Sequence, residues 1–160
     1  MTSPILSACR LCDCQFERFG TAILPIDDMT PHSEIDAELV FDGTKLRYYV
    51  MRLRKRPPIL ASMTRHSRAT QCLGSADAKA WWMAVADPAL RPEELDFTSV
   101  NLVEVQPGEG VKLHQGTWHA GPYFLSSSAL FFNLELSDTN LTDHNFHHLS
   151  VPIKLKLELS

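Results

Sequence analysis

Apolar and polar positions alternate in short runs along most of the chain, and a period of two marks strands with one buried face. Residues 129–136 place Leu130, Phe132, Leu134 and Leu136 on one face and Phe131, Asn133 and Glu135 on the other. Residues 100–105 alternate in the same way and are β-branched. Asp42-Gly43 is a hairpin signal, and the aromatic-rich residues 45–53 after it predict a long strand that Pro57-Pro58 breaks. The next strand begins at Ile59. Residues 80–86 read as a buried strand ended by Asp87-Pro88, and residues 21–24 as a short extended piece ended by Pro25. Near the end, Ile153, Leu155, Leu157 and Leu159 alternate with Lys154, Lys156 and Glu158, which predicts a half-buried strand at a sheet edge or a dimer contact. Helical spacing is scarce. Ile35 and Leu39 suggest one turn, and residues 90–95, with Pro92 early, suggest one or two more. The class is all-β or β-rich.

One stretch organises the rest. Gly108, Gly110 and Gly116 allow two tight reversals around the apolar pair Val111 and Leu113, and the segment ends in Trp118-His119. A lone histidine beside an apolar strand is more often structural than functional. Three features move His119 toward a site: the glycine turn, a second cluster of His66 and Gln71 five residues apart, and the polar face of Asn133 and Glu135. Polar groups opposite an apolar sheet face suggest a small barrel whose interior holds that site, and a buried carboxylate there needs a partner. His144, His147 and His148 concentrate three imidazoles in what reads as a polar surface loop, with metal binding as the alternative.

Length and charge narrow the field. At 160 residues, one domain over residues 1–160 is expected, with a substantial core. A net charge of −4 and the lack of a basic stripe argue against nucleic acid. The densest cationic run, Arg52 to Arg56, reads as a solvated strand end; in a functional role it would attract a small carboxylate. No run approaches the roughly 18 apolar residues that cross a membrane, and neither end resembles an address signal, so the expected compartment is the cytoplasm. Cys9, Cys12 and Cys14 make half a zinc pattern without a second half, since the fourth cysteine is Cys72, and are read as reduced thiols.

The glycine turn and His119 resemble the second motif of cupins, the small jelly-roll barrels that hold a metal between two histidine motifs. Gly108, Gly116 and His119 match it; His114 stands where that motif has proline, and Tyr123 where it has asparagine. The first motif is represented by Thr64, His66 and Gln71, with one imidazole replaced and the glutamate neutralised. A closer resemblance is to the ureidoglycolate lyase family, itself cupin-like. It is carried by Phe16, Phe19 and Gly20, by Arg65-His66 with Gln71, and by Gly108, Gly110, Val111, Trp118 and His119.

That resemblance implies a cupin-like double-stranded β-helix or jelly-roll barrel with a few short helices. It also implies a carbon–nitrogen lyase splitting (S)-ureidoglycolate to glyoxylate and urea in purine and allantoin catabolism. A divalent ion, nickel, manganese or zinc, is expected at His66, Gln71 and His119, weakly held, with a metal-free site as the alternative. Glu135 is the expected base, with His119 and His114 completing the catalytic set. Arg65, Asn133, Trp118 and Tyr123 are the expected substrate contacts, and either Arg65 or His114 is expected to face the carboxylate or protonate the leaving urea. A small carboxylate substrate and a homodimer are the expected partners. One departure stands out, because the family has arginine where this chain has Leu136. The rival readings are another metal-dependent cupin enzyme acting on a small acid or sugar, and a non-catalytic cupin binding protein.

Overall fold

The computed structural model describes residues 3–43 and 45–160. In chain order its strands are β1 (Ile5–Arg10), β2 (Gly20–Ile23), β3 (Leu46–Arg54), β4 (Ile59–Arg65), β5 (Gln71–Ser75), β6 (Trp81–Ala86), β7 (Asn101–Val105), β8 (Gly110–Leu113), β9 (Trp118–Tyr123), β10 (Ser128–Leu136) and β11 (Asn145–Lys156). Helix among the described residues is limited to 3-10 turns at Phe16–Arg18 and Pro92–Glu94 and a single α-helical turn at Thr139–Thr142. Six strands close into a barrel in the order β1-β11-β4-β9-β6-β7, and five form a second sheet in the order β2-β8-β5-β10-β3. The cupin-like, jelly-roll expectation holds, with the second sheet packed over one side of the barrel.

Two separate cores follow from strand alternation. On β6 every residue is buried, yet its two faces serve different interiors. Trp81, Met83 and Val85 enter the layer between barrel and sheet, where they meet Leu73, Val111 and Phe131. Trp82, Ala84 and Ala86 enter the barrel, among Leu60, Leu102, Trp118 and Ile153. The continuous apolar run of residues 80–86 is therefore what a strand with no solvent face requires. In the interlayer core the rings of Trp81 and Phe131 meet edge-on with centroids 5.3 Å apart, a favoured aromatic geometry.

Four expectations are corrected. Residues 31–38 form turns rather than a helix, because Ser33 and Asp36 bond each other at both ends of the reversal and Ile35 is exposed. Asp42-Gly43 does not close a hairpin; the strand-like piece before it runs against residues 68–70, with Phe41 bridged to Ala69. The segment from Ile153 onward is not a sheet edge. Residues 153–156 belong to β11, which pairs with both β1 and β4, so among the described residues this stretch has no free strand edge, and Leu157 and Leu159 lie beyond the strand. That same strand begins at Asn145 and takes in His147 and His148, which are paired with Met63 and Ser62 rather than held in a surface loop. The four cysteines are free thiols.

β2 comes so close to β8 that Gly20 has no room for a side chain. A methyl group there would overlap the carbonyl oxygen of Lys112. Gly20→Ala is expected to push the two strands apart and destabilise the protein by at least about 2 kcal/mol, the scale of a backbone-level clash. Urea denaturation of the two proteins checks it; an unchanged midpoint would refute the close packing of β2 on β8.

Candidate active site

The layer between barrel and sheet is solid on the β6–β7 side and hollow on the other. The hollow is a cavity of about 330 Å³, at the lower end of the range typical for small-molecule pockets. Its sheet wall is Tyr49, Met51 and Leu53 from β3, Gln71 and Leu73 from β5, and Asn133 and Glu135 from β10. Its barrel wall is Ser62 and Thr64 from β4, His66 just beyond it, and residues 119–122 of β9. Arg56, Asn140, His144 and Phe146, all exposed, complete its rim.

β10 builds the polar wall by simple alternation: Ala129, Phe131, Asn133 and Glu135 point inward and are buried, while Phe132 points out. Register then sets Tyr49 opposite Asn133, and four side chains close a hydrogen-bonded ring. Asn133 Nδ2 donates to the Tyr49 hydroxyl at 3.2 Å, and that hydroxyl donates to Glu135 Oε1 at 3.3 Å. Gln71 Nε2 donates to Asn133 Oδ1 at 3.1 Å and to Glu135 Oε2 at 3.3 Å. Two acceptors facing one amide nitrogen fix the Gln71 amide, since a flipped amide would set oxygen against oxygen. Its Oε1 is left buried without a partner, a costly condition that a ligand would relieve.

Across the cavity, His66 and His119 lie with ring centroids 5.1 Å apart. The glycine turn brings them together: Gly116, in the left-handed region at φ 83°, donates its N–H to the His66 carbonyl at 2.6 Å. Each ring is oriented through Nδ1, His66 to the Asp143 carbonyl at 2.6 Å and His119 to the Thr117 carbonyl at 3.0 Å. A carbonyl can only accept, so Nδ1 carries a proton, and in the neutral ring the lone pair is then on Nε2, the arrangement usual for metal-ligating or basic histidines. Asp143 also secures the chain beyond His66, its carboxylate accepting from Ser67 N, Ser67 Oγ and Arg68 N at 2.8–2.9 Å. Burial pushes the pKa of His119 down to about 4, and neighbouring His66 and His144 add to the shift. His144 reaches the same group, its ring 6.0 Å from that of His66.

His66, Gln71, His119, Asn133 and Glu135 thus converge on one cavity. The remaining expected site residues face elsewhere. Trp118, next to His119, points into the barrel and bonds the Leu90 carbonyl through Nε1 at 2.9 Å. Arg65, next to His66 and Thr64, stacks on that indole at 4.4 Å. Tyr123 belongs to the barrel core. His114, one step past the inward Leu113, receives a hydrogen bond from Lys112 Nζ at 3.3 Å and donates to the Glu17 carbonyl at 3.0 Å. Trp118 and Arg65 each adjoin a cavity residue, and on a strand the adjacent residue faces the opposite way. Tyr123 enters the barrel past a register shift in the β6–β9 pairing, and His114 lies beyond the end of β8. Thr64, Arg56 and His144, named in the sequence only as a motif position without its imidazole, the end of a cationic run and part of a histidine cluster, also line the cavity, and Tyr49 is the residue missed outright. Tyr49 was visible only as part of a strand whose register was unknown.

Whether the donors suit a metal depends on chemistry as well as position. Among the described residues no three His, Cys, Asp or Glu side chains are arranged to hold an ion. With glutamine counted, two Nε2 lone pairs and an orphaned amide oxygen line the cavity, and this set fits a weakly held divalent ion.

Fold and site together define a jelly-roll protein whose interlayer cavity opposes a carboxylate to a pair of imidazoles. The sequence profile of the ureidoglycolate lyase family matches residues 33–156, and the chain belongs to that family. No curated protein is significantly similar to it in sequence. Among solved structures, RmlC from Streptococcus suis, in complex with dTDP-D-xylose, superposes with a TM-score of 0.41 at 16% identity, over 56% of this chain; the chain spans 43% of that one. No helix among the described residues is long and apolar enough to cross a membrane.

The depressed pKa of His119 has a signed consequence. Between its ordinary value of 6.5 and about 4 the unfolded chain binds a proton that the folded chain refuses, so stability falls as pH drops through that window and is flat above it. The stability difference between wild type and His119→Asn should shrink from pH 7 to pH 4.5. Chemical denaturation at several pH values measures it, and a constant difference would mean that the ring is not desolvated.

Proposed function

We propose that the protein splits (S)-ureidoglycolate into glyoxylate and urea. The observation that carries this reading is the convergence of Glu135 and two oriented imidazoles on one small cavity in a member of this family. The reaction is collapse of a carbinolamide. A base removes the hydroxyl proton, the oxygen electrons form the carbonyl, the carbon–nitrogen bond breaks, and the nitrogen leaves as urea after gaining a proton. Atoms balance without water.

Glu135 is the base in this reading. Its ring of partners, Tyr49, Gln71 and Asn133, holds the carboxylate in place, so no reorientation is needed when the proton moves. His66 and His119 commit Nδ1–H to carbonyls, which leaves Nε2 of each ring for the substrate. His144, on the rim, is the imidazole left to protonate the departing nitrogen. A divalent ion, if bound, would be held by His66, His119 and Gln71 Oε1, and it would supply Lewis acidity toward the substrate hydroxyl. The ring of hydrogen bonds positions Gln71 for that task whether or not an ion is present.

Glu135→Gln is expected to retain the fold and slow urea release by about a hundredfold or more, the usual scale for loss of a general base. Urea and glyoxylate should form in equal amounts in the wild type. Ammonia in place of urea, or an unaffected variant rate, would sink the assignment. Elemental analysis and metal-induced thermal shifts address the ion separately: His66→Ala and His119→Ala should each abolish any divalent ion uptake that the wild type shows, with the barrel intact by circular dichroism. Uptake that survives both substitutions would move the ion elsewhere.

A further inference from the structure

The reaction leaves one requirement without a residue, because a substrate carboxylate must be held by positive charge and the expected holders, Arg65 and His114, face away. Among the described residues lining the cavity, the one permanent cation is Arg56. It lies on the connection from β3 to β4, and its guanidinium sits 4.8 Å from the centre of the Tyr123 ring. Nη2 donates to the Pro122 carbonyl at 3.4 Å, a long bond that leaves most of its five donors uncommitted. Stacking on Tyr123 fixes the plane of the fork without neutralising it. No carboxylate pairs with Arg56 among the described residues. Arg52 and Arg54 alternate with the cavity residues Met51 and Leu53 and are exposed on the opposite face.

The cavity is therefore polarised. Glu135 on its sheet wall repels an anionic group, and an uncompensated guanidinium on its rim attracts one, so a ligand with a single carboxylate has one favoured orientation. We infer that Arg56 is the specificity-determining residue for the carboxylate, gripping it through paired N–H donors with Tyr123 as the platform beneath. This assigns Tyr123 an indirect part in recognition, from the barrel side. The identity of the substrate rests on the lyase reading; carboxylate capture by Arg56 does not, and it is measured apart from turnover.

The experiment compares wild type, Arg56→Ala, Arg56→Lys and Arg54→Gln. Calorimetric titration with glyoxylate and with oxalate reads carboxylate binding, and steady-state kinetics on ureidoglycolate reads KM and kcat. Losing a charge-assisted fork should raise Kd and KM about 10- to 100-fold in Arg56→Ala and leave kcat nearly unchanged. Lysine should recover part of the affinity, since a point charge attracts without the bidentate geometry. Arg54→Gln should match the wild type. Wild-type binding constants in Arg56→Ala, a fall in kcat alone, or a wild type that binds neither carboxylate would each overturn the inference. A wild type that captures glyoxylate through Arg56 but leaves ureidoglycolate intact would refute the lyase reading and uphold the carboxylate site.

Discussion

β6 and β9 have no outside. Each is a wall shared by two interiors, the closed barrel and the layer beneath the second sheet, and their residues enter one or the other, by alternation along β6 and with a register shift along β9. That constraint decides which chemistry is possible where. Trp118 and Tyr123 fill the barrel, His119 between them faces the layer, and the barrel becomes a solid support instead of a container. The reactive groups sit on the outer surface of that support, covered by β3, β5 and β10.

Rigidity at the site comes from backbone carbonyls and a closed side-chain ring, not from ion pairs. His66 and His119 are fixed by the carbonyls of Asp143 and Thr117, and Glu135 by Tyr49 and Gln71. Carbonyls anchored in turns and strands cannot titrate. The orientation of the imidazoles is thereby insulated from pH, while the charge state of His119 is set by its burial.

Much of this was legible from the residues. Alternation gave the strands and the inward face of Asn133 and Glu135, and the glycine turn singled out His119. Resemblance added His66 and Gln71. What failed did so for identifiable reasons. Trp118 and Arg65 fall to the period of two, which turns the neighbour of a cavity residue away from it, whereas Tyr123 falls to the register shift between β6 and β9 and His114 to its place beyond the end of β8. His147 and His148 hid a strand because polar residues at exposed positions of a barrel wall leave no apolar pattern. Tyr49 depended on how β3 pairs with β10 and Arg56 on how the connection after β3 folds against Tyr123, neither of which one sequence prints. Arg56 carried a hint nonetheless, as the last member of a cationic run.

The walls of the cavity are unequally tethered. β4 and β9 are stitched on both sides into the barrel, whereas β3 is an outer strand of the open sheet and, among the described residues, is paired only with β10. Half of the polar ring, the Tyr49 hydroxyl and its two bonds, hangs on that outermost strand. Local opening follows the elements with the fewest partners, so β3 is the wall of the cavity with the least to hold it in place. A ligand reaching from Arg56, just beyond that strand, to Glu135 on β10 would tie the loosest wall of the cavity to its neighbour.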